Sequence, residues 1–448
     1  MLKDAWALAI DTLSQIELRR LSERLAIARS SRQLGISNPD AVRYAYGLVV
    51  ETTRHKNLID KFVASVIKPK RLNDINLGVQ VFLRLYVYAT RVARDWAEPD
   101  LQEAARIAAI GRAILGWKTL RVLEPFLGVL LTRQVEPIVK AATDEERIAL
   151  QTFHPIWFVE YCFRLFGRNE AIAFLEGSIN SPPTFIRLNT LKLPEEEISR
   201  ELEADGAKLE KAGPMKHVYK VLESKLPLAS LQSYREGRFY LQDRGSCFAV
   251  EVADPKPGMT VLDVCAAPGA KTTHFAQLMK NQGAIYSFDY SARRMHAWKQ
   301  ETRRMGTRIA EPIIADAGSD LPIDFEADAV FLDPPCTSTG LFGRQPSAKW
   351  RLTEKSIERM SDLQWQMINK CAETLKSGGF LTYSTCSVMV EENEMIIERF
   401  LKWHPAFHLA EIRLQLGLPG LRGLTRCRRL YPHIHESNGF FIAKMLKE

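Results

Sequence analysis

The strongest indication of the fold is the sequence Val261-Leu262-Asp263-Val264-Cys265-Ala266-Ala267-Pro268-Gly269-Ala270-Lys271-Thr272. Its mostly apolar beginning predicts a strand, and the helix that follows is predicted to begin near Thr272. Between them lies a loop of small residues, in which Pro268 and Gly269 shape a tight turn and a ligand can approach the backbone. The loop lacks the GxGxxG pattern that cradles a pyrophosphate, which argues against NAD or FAD as ligands.

Strand–loop–helix units of the same kind follow this stretch. Because strands and helices alternate, we predict a parallel sheet that is covered by helices on both faces. The predicted strands are Thr260–Val264, Ala284–Asp289, 311–315, 329–332 and 380–384, and the helices between them include 274–280, 291–305 and 354–375. Near the end, residues 429–433 and 439–445 predict a pair of strands that closes the sheet with an antiparallel edge.

The chain before residue 239 divides into two further regions. Residues 1–145 place apolar side chains at three- and four-residue steps, as in Leu13, Ile16 and Leu21, which predicts a helical bundle. Ser37-Asn38-Pro39-Asp40 is typical of a helix start within that bundle. Residues 146–238 predict a small α+β module, with strands at 184–190 and 216–222 and a charged helix at 194–204.

Composition limits the class of protein. The chain has 448 residues, a formal net charge of +8 and seven cysteines. That length predicts two or three domains, and the positive charge favours a polyanionic partner. The cysteines are scattered and never form a CxxC pair, so neither a disulfide framework nor a zinc ribbon is expected. With no recognisable signal peptide or membrane-spanning run, we expect a cytoplasmic monomer with reduced thiols and no membrane partner.

Acidic residues follow the second and third predicted strands of the sheet. Asp289 lies twenty residues after Gly269, at an offset from which an acid accepts hydrogen bonds from both hydroxyls of a ribose. Asp316 follows the third strand, where it can meet the edge of an adenine. Either aspartate alone is equally well explained as a helix N-cap. Together with the loop, they predict an adenosine ligand with a small zwitterionic tail and no phosphate, which describes S-adenosylmethionine.

Two cysteines end the fourth and fifth predicted strands. Asp333-Pro334-Pro335-Cys336 follows one strand and Ser384-Thr385-Cys386-Ser387 follows the next, so parallel pairing brings both thiols to the same edge of the sheet. Cytosine C5 is a poor nucleophile towards a methyl sulfonium, but addition of a thiolate to C6 makes it enamine-like. A carboxyl group that shares a proton with N3 assists this addition, and Asp333 is the candidate. The residues predict a reactive thiol pair and leave open which member attacks.

The motifs resemble those of the RNA cytosine-5 methyltransferases, specifically the RsmB-like (Sun) branch. The resemblance implies that Cys386 is the nucleophile and that Cys336 assists release of the product. It also implies that Cys265, Ala266, Ala267, Pro268, Gly269, Ala270 and Lys271, together with Asp289, Asp316 and Asp333, contact the cofactor or the target base. Ala270 departs from the family, which usually has glycine there, but a methyl group is tolerable at that position.

The resemblance extends over most of the chain. It implies a NusB-like helical RNA-binding domain over residues 1–145, an α+β RNA-binding module over 146–238 and a Rossmann-like methyltransferase domain over 239–448 with a mixed, mostly parallel seven-stranded sheet. The implied function is formation of 5-methylcytosine in RNA, with ribosomal RNA of the small subunit favoured and transfer RNA as the alternative. DNA is not an expected substrate.

Two basic clusters are candidates for phosphate contacts, although each alone is better explained as a solvated surface. The first surrounds Trp298, and the second lies near Tyr431. A metal site at Cys427, His433 and His435 is rejected because no fourth ligand follows. The members of the two clusters are Arg293, Arg294, Lys299, Arg303 and Arg304 in the first and Arg422, Arg426, Arg428 and Arg429 in the second.

Two other functions compete with this interpretation. A methyltransferase for an exocyclic amine or a protein would carry an aromatic residue at position 336 and would leave the second cysteine without a role. A non-catalytic RNA-binding or assembly factor is suggested by the helical N-terminal region. Intact Cys336, Cys386 and Asp333 argue against that alternative.

Overall fold

The computed structural model describes residues 1–67, 72–121, 123–140 and 142–448 and divides them into two compact units. The first unit comprises Met1–Asn180 and Phe342–Arg351, and the second comprises Ser181–Leu341 and Leu352–Glu448. The helices between 144 and 177 therefore lie in the helical unit, in contrast to the boundary that we predicted at 145. One reason is that the Asn57 amide donates to the carbonyls of Ala149 and His154, at 2.7 and 3.1 Å.

The first unit is all-helical, as predicted for the N-terminal region. The predicted helix start is confirmed, since Asn38 Oδ1 accepts hydrogen bonds from the backbone N–H groups of Asp40 and Ala41. Trp6, Phe62 and Phe82 are fully buried in its core. The helices are Leu2–Arg19, Glu23–Leu34, Pro39–Arg54, Lys56–Val66, Leu77–Thr90, Leu101–Leu115, Trp117–Leu120, Glu124–Thr132, Glu136–Lys140, Asp144–Thr152, Ile156–Phe166, Arg168–Gly177 and Pro346–Arg351.

A short segment from the C-terminal half of the chain completes the helical unit. Within Phe342–Arg351, the Trp350 indole donates to the Thr53 carbonyl at 2.7 Å, and the Ser347 N–H donates to Glu23 Oε1 at 2.7 Å. The Arg54 guanidinium donates to the Gly343 carbonyl at 3.1 Å. Residue 342 follows Cys336 by only six positions, so the chain passes from the second unit into the first directly after the Pro-Pro-Cys motif.

The second unit begins with an antiparallel sheet of four strands. They are β1 (Thr184–Leu188), β2 (Ala207–Lys211), β3 (Val218–Ser224) and β4 (Phe239–Leu241), in the order β2-β3-β1-β4. The helices Glu195–Ala204 and Gln232–Arg235 accompany them. The fully buried Arg187 on β1 donates to Gln242 Oε1 and to Thr273 Oγ1, both at 2.9 Å. Because Thr273 lies on the helix after the small-residue loop, Arg187 fixes this module to the loop's helix.

A nine-stranded sheet forms the rest of the second unit, in a part of the chain that is described throughout. Its order is β11-β12-β13-β9-β8-β5-β6-β7, with β10 paired to β13, and β5 to β9 are mutually parallel. The strands are β5 (Thr260–Val264), β6 (Ala284–Asp289), β7 (Ala310–Ile314), β8 (Ala327–Leu332), β9 (Leu375–Thr385), β10 (Phe407–Leu409), β11 (Leu418–Pro419), β12 (Arg428–Leu430) and β13 (Phe440–Lys447). The helices are Arg244–Ala253, Ala270–Leu278, Ala292–Met305, Glu354–Glu373, Glu394–Trp403 and Pro432–His435.

The mixed, mostly parallel sheet is confirmed, but two details of the prediction are wrong. The sheet has nine strands instead of seven, because β10 and β11 are strands of three and two residues without a periodic pattern. The strand predicted over 429–433 ends at Leu430, since Pro432 lacks a backbone N–H and starts a helical turn. None of the helices in the described part of the chain combines the length and apolar character that a membrane span requires.

The strand order places a crevice between β5 and β8. From β5 the chain continues through β6 to β7 on one side, and then crosses to β8 and β9 on the other. Ligands of open α/β sheets bind outside the carboxyl ends of the strands at such a reversal of order. The small-residue loop follows β5 and the Pro-Pro-Cys motif follows β8, so both lie at this crevice.

Candidate active site

A cavity of about 360 Å³ opens at the carboxyl ends of β5 and β8. It brings together most of the small-residue loop, the Pro-Pro-Cys segment and the Thr-Cys cysteine from β9. Its lining residues are Asp263, Cys265, Ala266, Ala267, Pro268, Ala270, Lys271, Tyr290, Arg294, Asp333, Pro334, Pro335, Cys336, Ser338 and Cys386. The candidate residues Gly269, Asp289 and Asp316 do not line it.

The backbone of the small-residue loop turns sharply on leaving β5. Cys265 adopts a left-handed conformation with φ of 68°, and Gly269 does so with φ of 106°. Glycine is favoured at such a φ because it lacks a Cβ, and here that Cβ would lie 3.2 Å from the Trp298 ring. Trp298 in turn donates to Thr272 Oγ1 at 2.9 Å. Ala266 and Ala267 pack with Trp298 in one apolar cluster, so the loop is supported from the side of the helix Ala292–Met305.

The two aspartates predicted to hold an adenosine have different environments. Asp289 is buried, and its carboxylate accepts from the N–H of Ala267 at 3.3 Å and from that of Ser291 at 3.0 Å. Arg294 pairs with the same carboxylate at 2.8 Å. A ribose could replace only Arg294, whose side chain is 44% exposed. Asp316 is exposed beyond β7, where its Oδ1 accepts from the Gly318 N–H at 2.9 Å.

Asp263 is a site residue that the sequence did not single out. Its side chain is buried at the end of β5, and burial raises its pKa to about 6. One carboxylate oxygen accepts from Thr272 Oγ1, and the other has no hydrogen-bond partner. A buried acceptor that lines a cavity without a partner is suited to a ligand that carries N–H groups. Its position inside the apolar strand gave no sequence signal.

The two cysteine thiols lie in contact at the cavity. Cys336 Sγ and Cys386 Sγ are 3.1 Å apart, and Ser338 Oγ lies 3.6 Å from the Cys386 sulfur. Beside them, Lys271 Nζ binds Asp333 Oδ2 at 2.5 Å, and the Ser384 hydroxyl donates to Asp333 Oδ1 at 2.9 Å. Thiols, an ammonium and a carboxylate thus converge on one space, although their residues come from three separate strand ends.

The surroundings of Cys336 shift the pKa of its thiol. The contact with Cys386 raises the pKa of Cys336 far above its ordinary value, and burial and the charges of Cys386 and Glu392 add to the effect. Cys336 therefore keeps its proton when the pair carries one negative charge. Burial disfavours the charged form of Lys271, but the ion pair with Asp333 outweighs it and raises the Lys271 pKa. The Lys271 ammonium also interacts with the charge of Cys386.

The predicted basic clusters are only partly available for ligands. Arg429 is buried in an ion pair with Glu394, and Arg422 pairs with Glu398 at 2.9 Å. In the first cluster Trp298 is buried, whereas Arg293, Lys299 and Arg303 remain exposed on the helix Ala292–Met305. Among the residues that the structure describes, no group of three histidine, cysteine, aspartate or glutamate side chains is arranged to hold a metal ion.

We expect Gly340→Ala to destabilise the second unit by about 1–3 kcal/mol or more and to displace the Cys386 loop. The Gly340 N–H donates to the Cys386 carbonyl at 2.9 Å, and a Cβ at this position would lie 2.1 Å from the carbonyl oxygen of Gly439. Denaturant unfolding and the rate of alkylation of Cys386 measure the two effects. Gly47→Ala, in an open helical position, is the control; equal stability of both variants would contradict the prediction.

Comparison with known proteins finds a family of similar sequences. The family model described as 16S rRNA methyltransferase RsmB/F matches residues 250–446. The chain is 31% identical to the probable ribosomal RNA small subunit methyltransferase B of Bacillus subtilis, over 90% of this chain and 89% of that protein. It is 34% identical to the 25S rRNA (cytosine-C(5))-methyltransferase nop2 of Schizosaccharomyces pombe, over 65% of this chain. The chain spans 50% of the length of that yeast protein.

Two solved structures are similar in fold to this chain. The crystal structure of PH0851 superposes with a TM-score of 0.84 at 30% identity, covering 100% of this chain and 99% of that one. The structure of NSun6 from Pyrococcus horikoshii with SFG has a TM-score of 0.61 at 26% identity, covering 65% of this chain and 98% of that one.

Proposed function

Because the chain belongs to the RsmB/F family of RNA cytosine-C5 methyltransferases, we propose that it transfers a methyl group from S-adenosylmethionine to C5 of a cytosine in small-subunit ribosomal RNA. The observation that carries this proposal is the pair of thiols 3.1 Å apart beside the Lys271–Asp333 ion pair. Covalent catalysis on a pyrimidine uses such a pair of thiols, whereas methylation of an amine has no step that requires one.

The residues at the cavity fit S-adenosylmethionine. The unpartnered Asp263 oxygen offers an acceptor for the amino group of the cofactor, and the alanines of the loop leave room for its tail. Asp289 would receive the ribose hydroxyls in exchange for Arg294, and the exposed Tyr290 and Asp316 would flank the adenine. When bound there, S-adenosylmethionine supplies an electrophilic methyl group.

We assign the nucleophile to Cys386 and the release step to Cys336. Cys386 interacts with the charge of the Lys271 ammonium, and reactive cysteines are typically found beside such a cation, while the raised pKa of Cys336 favours its protonated form. The Cys386 thiolate adds to cytosine C6, and the bond that forms moves an electron pair to C5, which then takes the methyl group. Afterwards a base removes the C5 proton, the electron pair re-forms the C5–C6 double bond, and Cys386 leaves as a thiolate.

Asp333 stabilises the addition in this assignment. Its carboxylate is held by Lys271 on one oxygen and by Ser384 on the other, so its orientation towards the cavity is fixed. When N3 of the cytosine takes up a proton from solvent, the carboxylate accepts a hydrogen bond from the resulting N3–H, and this protonation offsets the negative charge that the addition brings into the ring. Cys336, in contact with the Cys386 sulfur, is placed to exchange a proton in the release step.

RNA binding is assigned to the two regions before the methyltransferase sheet and to the exposed cations of one helix. Residues 1–145 of the helical unit are the part for which we predicted a NusB-like role. The module β1 to β4 contacts the helix after the small-residue loop through Arg187. Arg293, Lys299 and Arg303 are exposed on the helix Ala292–Met305 and are free to neutralise phosphates.

Bisulfite sequencing of cellular RNA, with and without this gene, tests the proposed function. We expect one or a few cytosines of small-subunit ribosomal RNA to lose their protection when the gene is absent and to regain it with the wild-type chain. Complementation with Cys386→Ala is the matched control and should restore nothing. If only cytosines of transfer RNA lose their protection, the proposed substrate is wrong. If no cytosine in any RNA loses its protection, the proposed activity is wrong.

A further inference from the structure

A fully buried carboxylate connects the loops that carry the two cysteines. Glu392 has no exposed surface and lies between β9 and the helix Glu394–Trp403. It takes no part in the mechanism proposed above, and its side chain accepts four hydrogen bonds, two on each oxygen. A buried carboxylate is costly unless it is hydrogen-bonded in this way, so the arrangement requires an explanation.

Two of the four donors belong to the Cys336 loop. The Thr337 N–H donates to Glu392 Oε1 at 2.8 Å, and the Thr337 hydroxyl donates to Oε2. The buried Gln364 amide donates to Oε1 at 2.9 Å and also to the Pro335 carbonyl at 2.9 Å. Both residues that flank Cys336 in the sequence are thereby held, one directly by Glu392 and the other through Gln364.

The fourth donor belongs to the Cys386 loop. The Ser387 hydroxyl donates to Glu392 Oε2, the oxygen that also accepts from Thr337. The same Ser387 oxygen lies 3.0 Å from Thr339 Oγ1. The backbone of Glu392 is fixed as well, since its carbonyl accepts from the Tyr383 hydroxyl at 2.7 Å. One side chain therefore joins the residues that follow the two cysteines.

We propose that Glu392 is a positioning residue, which holds the Cys336 loop and the Cys386 loop together so that their thiols stay in contact. The inference deepens the proposed function, on which it rests, because it names a charged group that bonds to the residues following both cysteines and so helps to hold the thiols in contact. Without the carboxylate, four donors lose their acceptor, and two of these donors belong to the buried side chains of Gln364 and Ser387. The remaining side-chain contacts between the two loops are those of Ser387 Oγ with Thr337 Oγ1 at 3.2 Å and with Thr339 Oγ1 at 3.0 Å.

The charge of Glu392 also affects the pKa of one of the two thiols. It is one of the groups that raise the pKa of Cys336, so it favours a protonated Cys336. The other titratable groups that face the pair are Lys271 and Asp333 at the ends of β5 and β8 and Tyr383 on β9. Of these, only Glu392 also bonds to the residue that follows each cysteine.

Glu392→Gln tests the inference, with Glu251→Gln as the matched control. Glu251 is likewise a buried carboxylate with a burial-raised pKa, but it accepts from the Lys216 N–H, away from both cysteines. We expect Glu392→Gln to lower kcat about 10- to 100-fold, the range for misplaced reacting groups, while KM for RNA and Kd for S-adenosylhomocysteine change less than about twofold. Glu251→Gln should leave kcat per folded molecule unchanged.

Alkylation of the thiols by iodoacetamide, read residue by residue by mass spectrometry, gives a readout that stability alone does not move. We expect Cys386 to react faster in the wild type, and the ratio of Cys336 to Cys386 labelling to rise at least about threefold in Glu392→Gln. An unchanged ratio and an unchanged kcat would overturn the inference. This readout needs no RNA, so it remains decisive even where the wild type methylates none and the proposed function itself fails.

Ser387→Ala provides a second variant in case Glu392→Gln does not fold. It removes a single donor from the Glu392 carboxylate and leaves the charge in place. We expect a smaller fall in kcat than for Glu392→Gln and a shift of the labelling ratio in the same direction. Labelling identical to that of the wild type would contradict the positioning role.

Discussion

Replacing Cys386 with alanine is expected to abolish methyl transfer, with a rate at least about a thousandfold below that of the wild type, as for loss of other covalent nucleophiles. Without the thiolate, cytosine C6 receives no addition and C5 stays too weak a nucleophile to take the methyl group. The same variant is expected to form no covalent complex with RNA, including RNA that carries 5-fluorocytosine at the target. Transfer of labelled methyl to RNA and denaturing gel electrophoresis measure the two effects.

Cys247→Ala is the matched control for that experiment. Cys247 is completely buried in the helix Arg244–Ala253 and does not line the cavity, so its loss removes a thiol without touching the site. We expect its activity to stay within about twofold of the wild type, since one small buried side chain contributes to packing alone. If Cys386→Ala still forms a covalent complex with RNA, another residue is the nucleophile.

Replacing Cys336 with alanine is expected to have the opposite effect on the covalent complex. Addition through Cys386 and methyl transfer proceed, but the release step slows because the thiol in contact with Cys386 is missing. RNA should therefore accumulate on the enzyme as a complex that survives denaturation, and turnover should fall at least about a hundredfold, a typical loss for an acid–base group. Digestion of the trapped complex should yield a methylated base on the Cys386 peptide.

The double variant Cys336→Ala/Cys386→Ala distinguishes this result from non-specific trapping. If Cys386 is the attached residue, removal of both thiols eliminates the complex that Cys336→Ala accumulates. The reverse pattern, in which Cys386→Ala accumulates the complex and Cys336→Ala forms none, would exchange the two roles. Full activity of both single variants would discard covalent catalysis altogether.

The sequence predicted the strand ends well, because apolar runs between polar loops define where a strand leaves the sheet. The bounds of β5 and β6 agree with the prediction, and the order of the sheet then brings Cys336 and Cys386 to one edge. Cys386 follows β9 directly, and Cys336 lies four residues after the end of β8. The position of such a residue depends only on topology, which the alternation of strands and helices already indicates.

Residues whose role depends on side-chain partners could not be predicted in this way. Arg294 and Arg429 belong to the two clusters that the sequence offers as candidates for phosphate contacts, yet Arg294 pairs with Asp289, and Arg429 is buried against Glu394. Glu392 lies six positions after Cys386 in a run of polar residues typical of a loop, although its side chain is fully buried. Pairing of charges across distant segments leaves no periodic signal in the chain.

The position of the transferred methyl group on the RNA distinguishes methylation of cytosine C5 from methylation of any other atom. Purified protein is incubated with unmodified small-subunit ribosomal RNA and S-adenosylmethionine that carries a trideuterated methyl group, and the nucleosides are analysed by mass spectrometry. We predict trideuterated 5-methylcytidine, formed with loss of the C5 hydrogen and absent in Cys386→Ala. Label on an exocyclic amine or a ribose hydroxyl, or no label in RNA while the protein binds the cofactor, would contradict the account.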